Sequence, residues 1–388
     1  MGILGKLKFA ATRQAELLYK KATGMEYPEK DETLAYLQDY LITPGNDYSI
    51  ELPEVTNVAD KNKIIFSESL MHGSRNYIWD YKAGEKKSNI LRIGSVVTDN
   101  KVLQTDFGYP RLFTDDFGGK HVFRDLATPD KRQGLHAGTL IAPWSHYIRK
   151  EYFMFVMFVA AKLCRIKDSI TEELFNEAIV SYPLFYTTFE PEYLDLIGIK
   201  PEKIVDSRLT KITFDRCILG NNDNWVYPNA SDVFALKKHV EPKLEITNIG
   251  AEGNKRIYIC RSGRRQVVNE RALIKMLTKF DFVIYEDQTR TVAEQYAMYH
   301  NASFIMGPHG SSFTNIVWCK PGAHLFELFP PRYVYNFFHY LAEMLGLNYS
   351  AYCNGPIAYD YRNKTINDDI TVSIAEIEEY LEGYFGGG

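Results

Sequence analysis

Residues 304–330 read FIMGPHGSSFTNIVWCKPGAHLFELFP, and the fold class follows from this segment. The apolar run 302–306 predicts a buried strand. A Gly307-Pro308-His309-Gly310 turn comes next, then hydroxyl and amide residues that open a helix (Ser311, Ser312, Thr314, Asn315). A second strand, 324–329, carries Glu327 near its end. Strand, glycine turn, helix start and strand is how parallel α/β domains hold a phosphorylated ligand. Glycine permits close backbone approach, and the first helical N–H groups point at an anion. The ligand class indicated is a nucleotide or nucleotide sugar.

Outward from this segment, the second half alternates regularly. Strands are expected at 256–260, 281–285, 302–306 and 323–328, with helices at 269–279, 292–299 and 335–345 between and after them. That alternation is a βαβ parallel sheet. The first half is less regular. Short apolar runs at 64–66, 90–97 and 102–103 suggest strands, and 146–164 a long buried helix. A further helix spans 170–180, another, 191–199, closes at Gly198, and strands follow at 203–205 and 211–219. Residues 221–228 read as an Asn-rich turn and 231–240 as a helix ending before Pro242. The expected division is an amphipathic helix over 1–24, a first domain over 25–243, a ligand-binding domain over 244–352 and a tail over 353–388. The tail helix (373–385) has an Ile374, Ile377, Leu381 face expected to dock on the first domain.

At 388 residues the chain can build two cores. A net charge of −4 gives no basic surface for nucleic acid. Five cysteines, widely spaced and odd in number, form no CxxC pair, which argues against a zinc site or disulfide framework and for a reducing compartment. No run approaches the ~20 apolar residues of a membrane span. Ile3, Leu4, Leu7, Ala11, Leu17 and Leu18 share one helical face, ringed by Lys6, Lys8, Arg13, Lys20 and Lys21. Such a helix either makes peripheral contact with an anionic membrane surface or packs on its own domain.

Four features at successive strand ends carry the chemistry. The 307–315 turn is the first. The second is Cys260-Arg261-Ser262-Gly263-Arg264-Arg265, whose three arginines can clamp a diphosphate. Glu327, third, can accept from ribose hydroxyls, or cap a helix or pair with a cation. Tyr285-Glu286-Asp287-Gln288, fourth, offers an aromatic ring and polar edge for a base. Each admits a structural explanation singly; their convergence on one sheet edge is what points to a ligand.

RSGRRQVVNERALIKML (261–277), the Tyr285-Glu286 loop and AEQYAMYHNASFIMGPHGSSFTNIVWCKPGAHLFELFP (293–330) together resemble glycosyltransferase family 61. Arg261, Arg264, Arg265, Asn269, Glu270, Gln295, Gly307, His309, Gly310, Thr314, Asn315 and Glu327 match its motifs; Ser311 and Ser312 replace Ala-Gly. EYLDLIGIKPEKIV (192–205) is similar to another family element. The resemblance implies a GT-B fold: α/β, two Rossmann-like domains with parallel sheets facing a central cleft, the second holding the sugar nucleotide. It implies inversion at the anomeric carbon with no metal and no cofactor, the donor being a nucleotide sugar, UDP-linked, and the partner a glycan or lipid-linked glycan acceptor.

Inverting transfer needs a base for the acceptor hydroxyl. Pro143-Trp144-Ser145-His146-Tyr147 with Glu151 resembles the family's acceptor-domain signature, with the carboxylate one residue late. The candidate bases are His146, Glu151 and Asp116, with Asp106 and Asp115 behind them. Asp115-Asp116 lacks the spacer of a DxD metal pair. The expected setting is cytoplasmic, at the inner face of a membrane, in surface-polysaccharide or glycoconjugate synthesis. The rival reading is a non-catalytic nucleotide- or glycan-binding module that keeps the donor site.

Overall fold

A computed structural model describes residues 11, 14, 17, 18, 21, 22, 24, 26, 28, 30–43, 48–66, 73–83, 89–92, 95–103, 131–143, 151–222, 227–245, 255–355 and 367–386. The chain forms two compact units, Met1–Tyr48 with Gly73–Val240, and Ser49–His72 with Glu241–Gly388.

The first unit is built on a nine-stranded sheet. Its strands are β1 (Leu41–Thr43), β2 (Asn76–Lys82), β3 (Asn89–Arg92), β4 (Ser95–Thr98), β5 (Lys101–Leu103), β6 (Gln133–Ala142), β7 (Ile179–Tyr182), β8 (Ile204–Asp206) and β9 (Thr210–Asn222). The sheet is mixed, not wholly parallel as expected. β8, β7, β6 and β9 run parallel, while β2 and β3 lie antiparallel to β9. β3, β4 and β5 form an antiparallel meander. Parallel neighbours need long crossovers, whereas short polar turns return the chain antiparallel. The β4–β5 turn shows how: Asp99 and Asn100 both take left-handed backbone (φ 49° and 61°), the two-residue hairpin geometry that Asp and Asn tolerate.

The buried helix expected over 146–164 is described from Tyr152, running through an α turn, a π segment (Val156–Ala160) and an α-helix to Ser169. Its apolar residues 155–161 are fully buried. Gly198 closes the Phe189–Ile197 helix in the left-handed conformation (φ 93°). The helix expected to stop before Pro242 instead runs from Ala230 to Glu245 with the proline inside. No described helix is long and apolar enough to cross a membrane.

The second unit holds a five-stranded parallel sheet of β10 (Lys255–Ile259), β11 (Phe282–Tyr285), β12 (Ala302–Pro308), β13 (His324–Phe329) and β14 (Asn348–Cys353). The spatial order is β11-β10-β12-β13-β14. β13 is buried along its whole length and β12 nearly so, as central parallel strands covered on both faces must be. The helix between β11 and β12, Val292–His300, starts with a capping box: Thr291 Oγ1 accepts from Glu294 N, and Thr291 N donates to Glu294. Strand order reverses between β10 and β12, and the crevice beyond their carboxyl ends is where such sheets bind ligands.

Two segments correct the expected boundaries. The C-terminal helix (Ile374–Gly386) packs on the second unit, not the first. Ile377 and Leu381 are buried in one cluster with Leu273, Met276, Phe304 and Phe326. The early segment 49–66 also belongs to the second unit. Asn57 clips the β14 edge: its Nδ2 donates to Cys353 O (2.9 Å), its Oδ1 accepts from Cys353 N (3.0 Å), and Val58 N donates to Ala351 O (3.0 Å).

Candidate functional site

The site is assembled where β10 and β12 diverge. Gly307 is required because the strands run too close for a side chain: a Cβ there would lie 2.8 Å from the Ile259 carbonyl oxygen. Beyond it the chain turns at His309-Gly310 and enters the expected helix, a 3-10 helix over Ser311–Trp318. Opposite, the arginine loop leaves β10. Arg265 is buried and left-handed (φ 58°), and its Nε donates to the His309 carbonyl (3.0 Å). Arg261 Nη1 reaches the same carbonyl (3.4 Å), and its Nε donates to Arg264 O (2.7 Å). A Cβ on Gly310 would stand 1.6 Å from Arg261 Nη1, so this glycine makes room for the guanidinium. Two cations therefore gather over the start of a helix whose first N–H groups have no intrahelical partner.

His309 is buried, with Phe329, Phe338 and Tyr333 rings around it. Its Nδ1 lies 2.5 Å from Glu327 Oε1, and Tyr349 donates to Glu327 Oε2 (2.7 Å). Burial pushes the imidazole below its ordinary range; Glu327 opposes that, while Arg265 and Arg261 add to it. The ring is thus neutral near pH 7. Beside a carboxylate acceptor the proton sits on Nδ1, which leaves the Nε2 lone pair on the other side of the ring.

This geometry corrects the expected role of Glu327. It is fully buried with both oxygens engaged, so it orients His309 and is not placed to read a ribose. Thr314 and Asn315 are also internal. Thr314 Oγ1 donates to Ser311 O (2.6 Å), and Asn315 Nδ2 to Gln295 Oε1 (2.8 Å) and Ser312 O (3.1 Å). Asn269 is a clip on the C-terminal segment, bonding both N–H and C=O of Val372. Ser311 and Ser312 remain half-exposed at the helix start.

Tyr285 is half-buried beneath Arg290, 5.5 Å from the ring centroid, and the Glu286 carbonyl accepts from Arg290 Nη1 (2.9 Å). Asp287, expected as part of a polar edge for a base, pins the arginine loop instead: it accepts from Ser262 N (2.7 Å) and Ser262 Oγ (2.8 Å). Tyr333, stacked over Arg265 at 4.9 Å, and Tyr349 gave no sequence signal.

In the first unit, His146, Asp106, Asp115 and Asp116 lie outside the described residues. Glu151 is half-buried at the start of the Tyr152–Phe155 helix, where its backbone carbonyl accepts from Phe155 N (3.1 Å) and its side chain does not cap. The Asn-rich turn proved to include the end of β9. There Asn221 accepts from Trp79 Nε1 (2.6 Å), and Asn222 bridges Arg165 (3.2 Å) and Asp232 (2.8 Å), which also form an ion pair. Lys162 is fully buried nearby, and its aliphatic stem lies 3.1 Å from where a Cβ on Gly220 would stand, closer than ordinary contact. Such networks need every member paired to be stable. Among the described residues no group of three His, Cys, Asp or Glu side chains could hold a metal ion.

Fold and site define an α/β protein whose parallel-sheet switch point gathers two arginines over a helix start. Residues 105–326 match the glycosyltransferase 61 family model, and the chain belongs to that family. It is also 28% identical over 98 residues to xylan glycosyltransferase MUCI21 of Arabidopsis thaliana; the match takes in 24% of this chain and 20% of that protein.

Proposed function

We propose that this chain is an inverting, metal-independent glycosyltransferase of the GT-B type, moving a sugar from a UDP-linked donor to a glycan acceptor in polysaccharide or glycoconjugate synthesis. The observation that carries the reading is the convergence of Arg261 and Arg265 on the His309 carbonyl, above the Gly310–Ser312 helix start. In transfer, the acceptor hydroxyl oxygen bonds to the anomeric carbon as the carbon–phosphate-oxygen bond breaks. The diphosphate leaves with the electron pair, and a base takes the hydroxyl proton. Guanidinium groups and helix N–H dipoles stabilise charge on that leaving group, the task a metal performs elsewhere. Once a diphosphate arrives, protonation of His309 becomes favourable and Nε2–H can donate to it. The base belongs to the first half, with His146, Glu151 and Asp116 as candidates.

A panel of nucleotide sugars scored for released nucleotide, with Arg261→Ala and His146→Ala beside wild type, tests this. Arg261→Ala should weaken donor binding, and His146→Ala should lower turnover with donor binding kept. Donor binding without turnover for every acceptor tried would leave a non-catalytic binding module. Unchanged donor affinity in Arg261→Ala would remove the phosphate assignment.

A further inference from the structure

We propose that the cleft between β14 and the Asn57 segment that clips its edge is a second site, one that holds an acidic saccharide. It lies within the second unit, encloses about 330 Å³, and is lined by Glu54, Thr56, Lys61, Tyr349, Ser350 and Tyr380 among others. That volume is at the small end of ligand sites, about 300–1,000 Å³, and suits one or two sugar rings.

Lys61 is the first indication of a charge preference. Its backbone is left-handed (φ 59°), a conformation that glycine adopts without strain and lysine does not. The turn that enforces it is tightly bonded: Asn57 N donates to Asn62 O (2.7 Å), Lys61 N to Asn57 O (3.0 Å), and Asp60 accepts from Asn57 Nδ2 (2.9 Å). Among the described residues the Lys61 ammonium has no ion pair or hydrogen bond. Glu54 is paired with Lys63, and Asp60 is committed to the turn. Lys61 is thus the cation of the lining with no side-chain partner among the described residues, and it suits a carboxylate.

The walls indicate the ring. Tyr349 and Tyr380 both line the cleft, and both hydroxyls are committed elsewhere, Tyr349 to Glu327 (2.7 Å) and Tyr380 to Ser350 (2.6 Å). Their rings are therefore held as fixed platforms. A pyranose has an apolar C–H face for such a platform and hydroxyls for the Thr56 and Glu54 edge. A uronic-acid-bearing glycan combines both demands. Its choice as ligand rests on the glycosyltransferase reading; the cleft and its charge do not.

Calorimetry of the full chain tests the site, using glucuronyl-xylotriose and neutral xylotriose as probes without donor. The acidic probe should bind wild type more tightly than the neutral one, weaken at least fivefold in Lys61→Gln, recover in Lys61→Arg, and be unchanged in Arg261→Ala. Equal binding by Lys61→Gln and wild type, loss in Arg261→Ala, or no binding to wild type would each overturn the proposal. Lys61 is exposed, and a melting curve for each variant checks that it folds. UDP binding measured separately reports on the donor reading alone, so the two fail independently.

Discussion

Glu327 Oε1 stands 2.5 Å from His309 Nδ1, and this contact determines which imidazole nitrogen can meet a ligand. The carboxylate is fully buried and its second oxygen is occupied by Tyr349. Glu327→Gln keeps the shape but removes the charge that opposes the loss of basicity burial imposes on His309. Turnover should fall about 10- to 100-fold at pH 7, the scale of losing one charge-assisted hydrogen bond. Tyr349→Phe should act on stability instead, lowering it by about 2 kcal/mol in denaturant melts because a buried carboxylate oxygen loses its donor.

Donor affinity should depend on pH through the same histidine. His309 is held neutral in the free protein, chiefly by burial. A bound diphosphate favours the charged ring, so binding takes up a proton and tightens as pH falls from 8 to 6. Calorimetry in buffers of different ionisation heat should show that uptake, and His309→Gln should abolish it.

The two glycines of the turn should fail differently. At Gly307 the obstacle to a side chain is backbone, the Ile259 carbonyl at 2.8 Å, so Gly307→Ala should destabilise by about 1–3 kcal/mol. At Gly310 it is the far end of Arg261, which can swing away. Gly310→Ala should melt close to wild type yet bind UDP poorly.

His324 should make the second unit acid-sensitive. It is stacked on Phe304 (4.6 Å) with Tyr384 edge-on to it (4.8 Å), and burial pushes it down to about 4. A group whose folded value is depressed below an open-chain value of 6.5 binds protons preferentially when unfolded. Stability is therefore intact above pH 6.5 and declines as pH falls towards 4. The interval corresponds to about 3 kcal/mol. His324→Phe should flatten the pH-dependence of the melting midpoint across that window.

The C-terminal helix should be integral to the second unit's sheet. Leu381 is fully buried against it, so Leu381→Ala should cost about 2–5 kcal/mol and weaken UDP binding only through unfolding.

Much of the second unit was legible in the amino-acid order. Parallel strands buried on both faces leave continuous apolar runs, so β10 to β13 were placed within a few residues; β14, with its polar Asn348 and Ser350, was not anticipated. The antiparallel half of the first sheet was missed as such, since pairing direction depends on partners far along the chain. Gly307 and Gly310 were picked out for close approach, which their missing side chains encode directly. The functions of Asn269, Thr314, Asn315 and Glu327 were not encoded that way. Each is polar near a strand end or helix start, as a ligand-binding residue would be, yet each is turned inward to satisfy buried groups.

By itself, the sequence determined the βαβ alternation, the switch-point glycines and arginines, and membership of the family, because periodicity and motif spacing are local properties. Tertiary structure alone decided that Glu327 serves His309, that Asn57 and the C-terminal helix complete the second unit, and that Arg261 and Arg265 share one carbonyl. Those outcomes depend on long-range contacts such as Asn57 with Cys353, 296 residues apart, which no local pattern records.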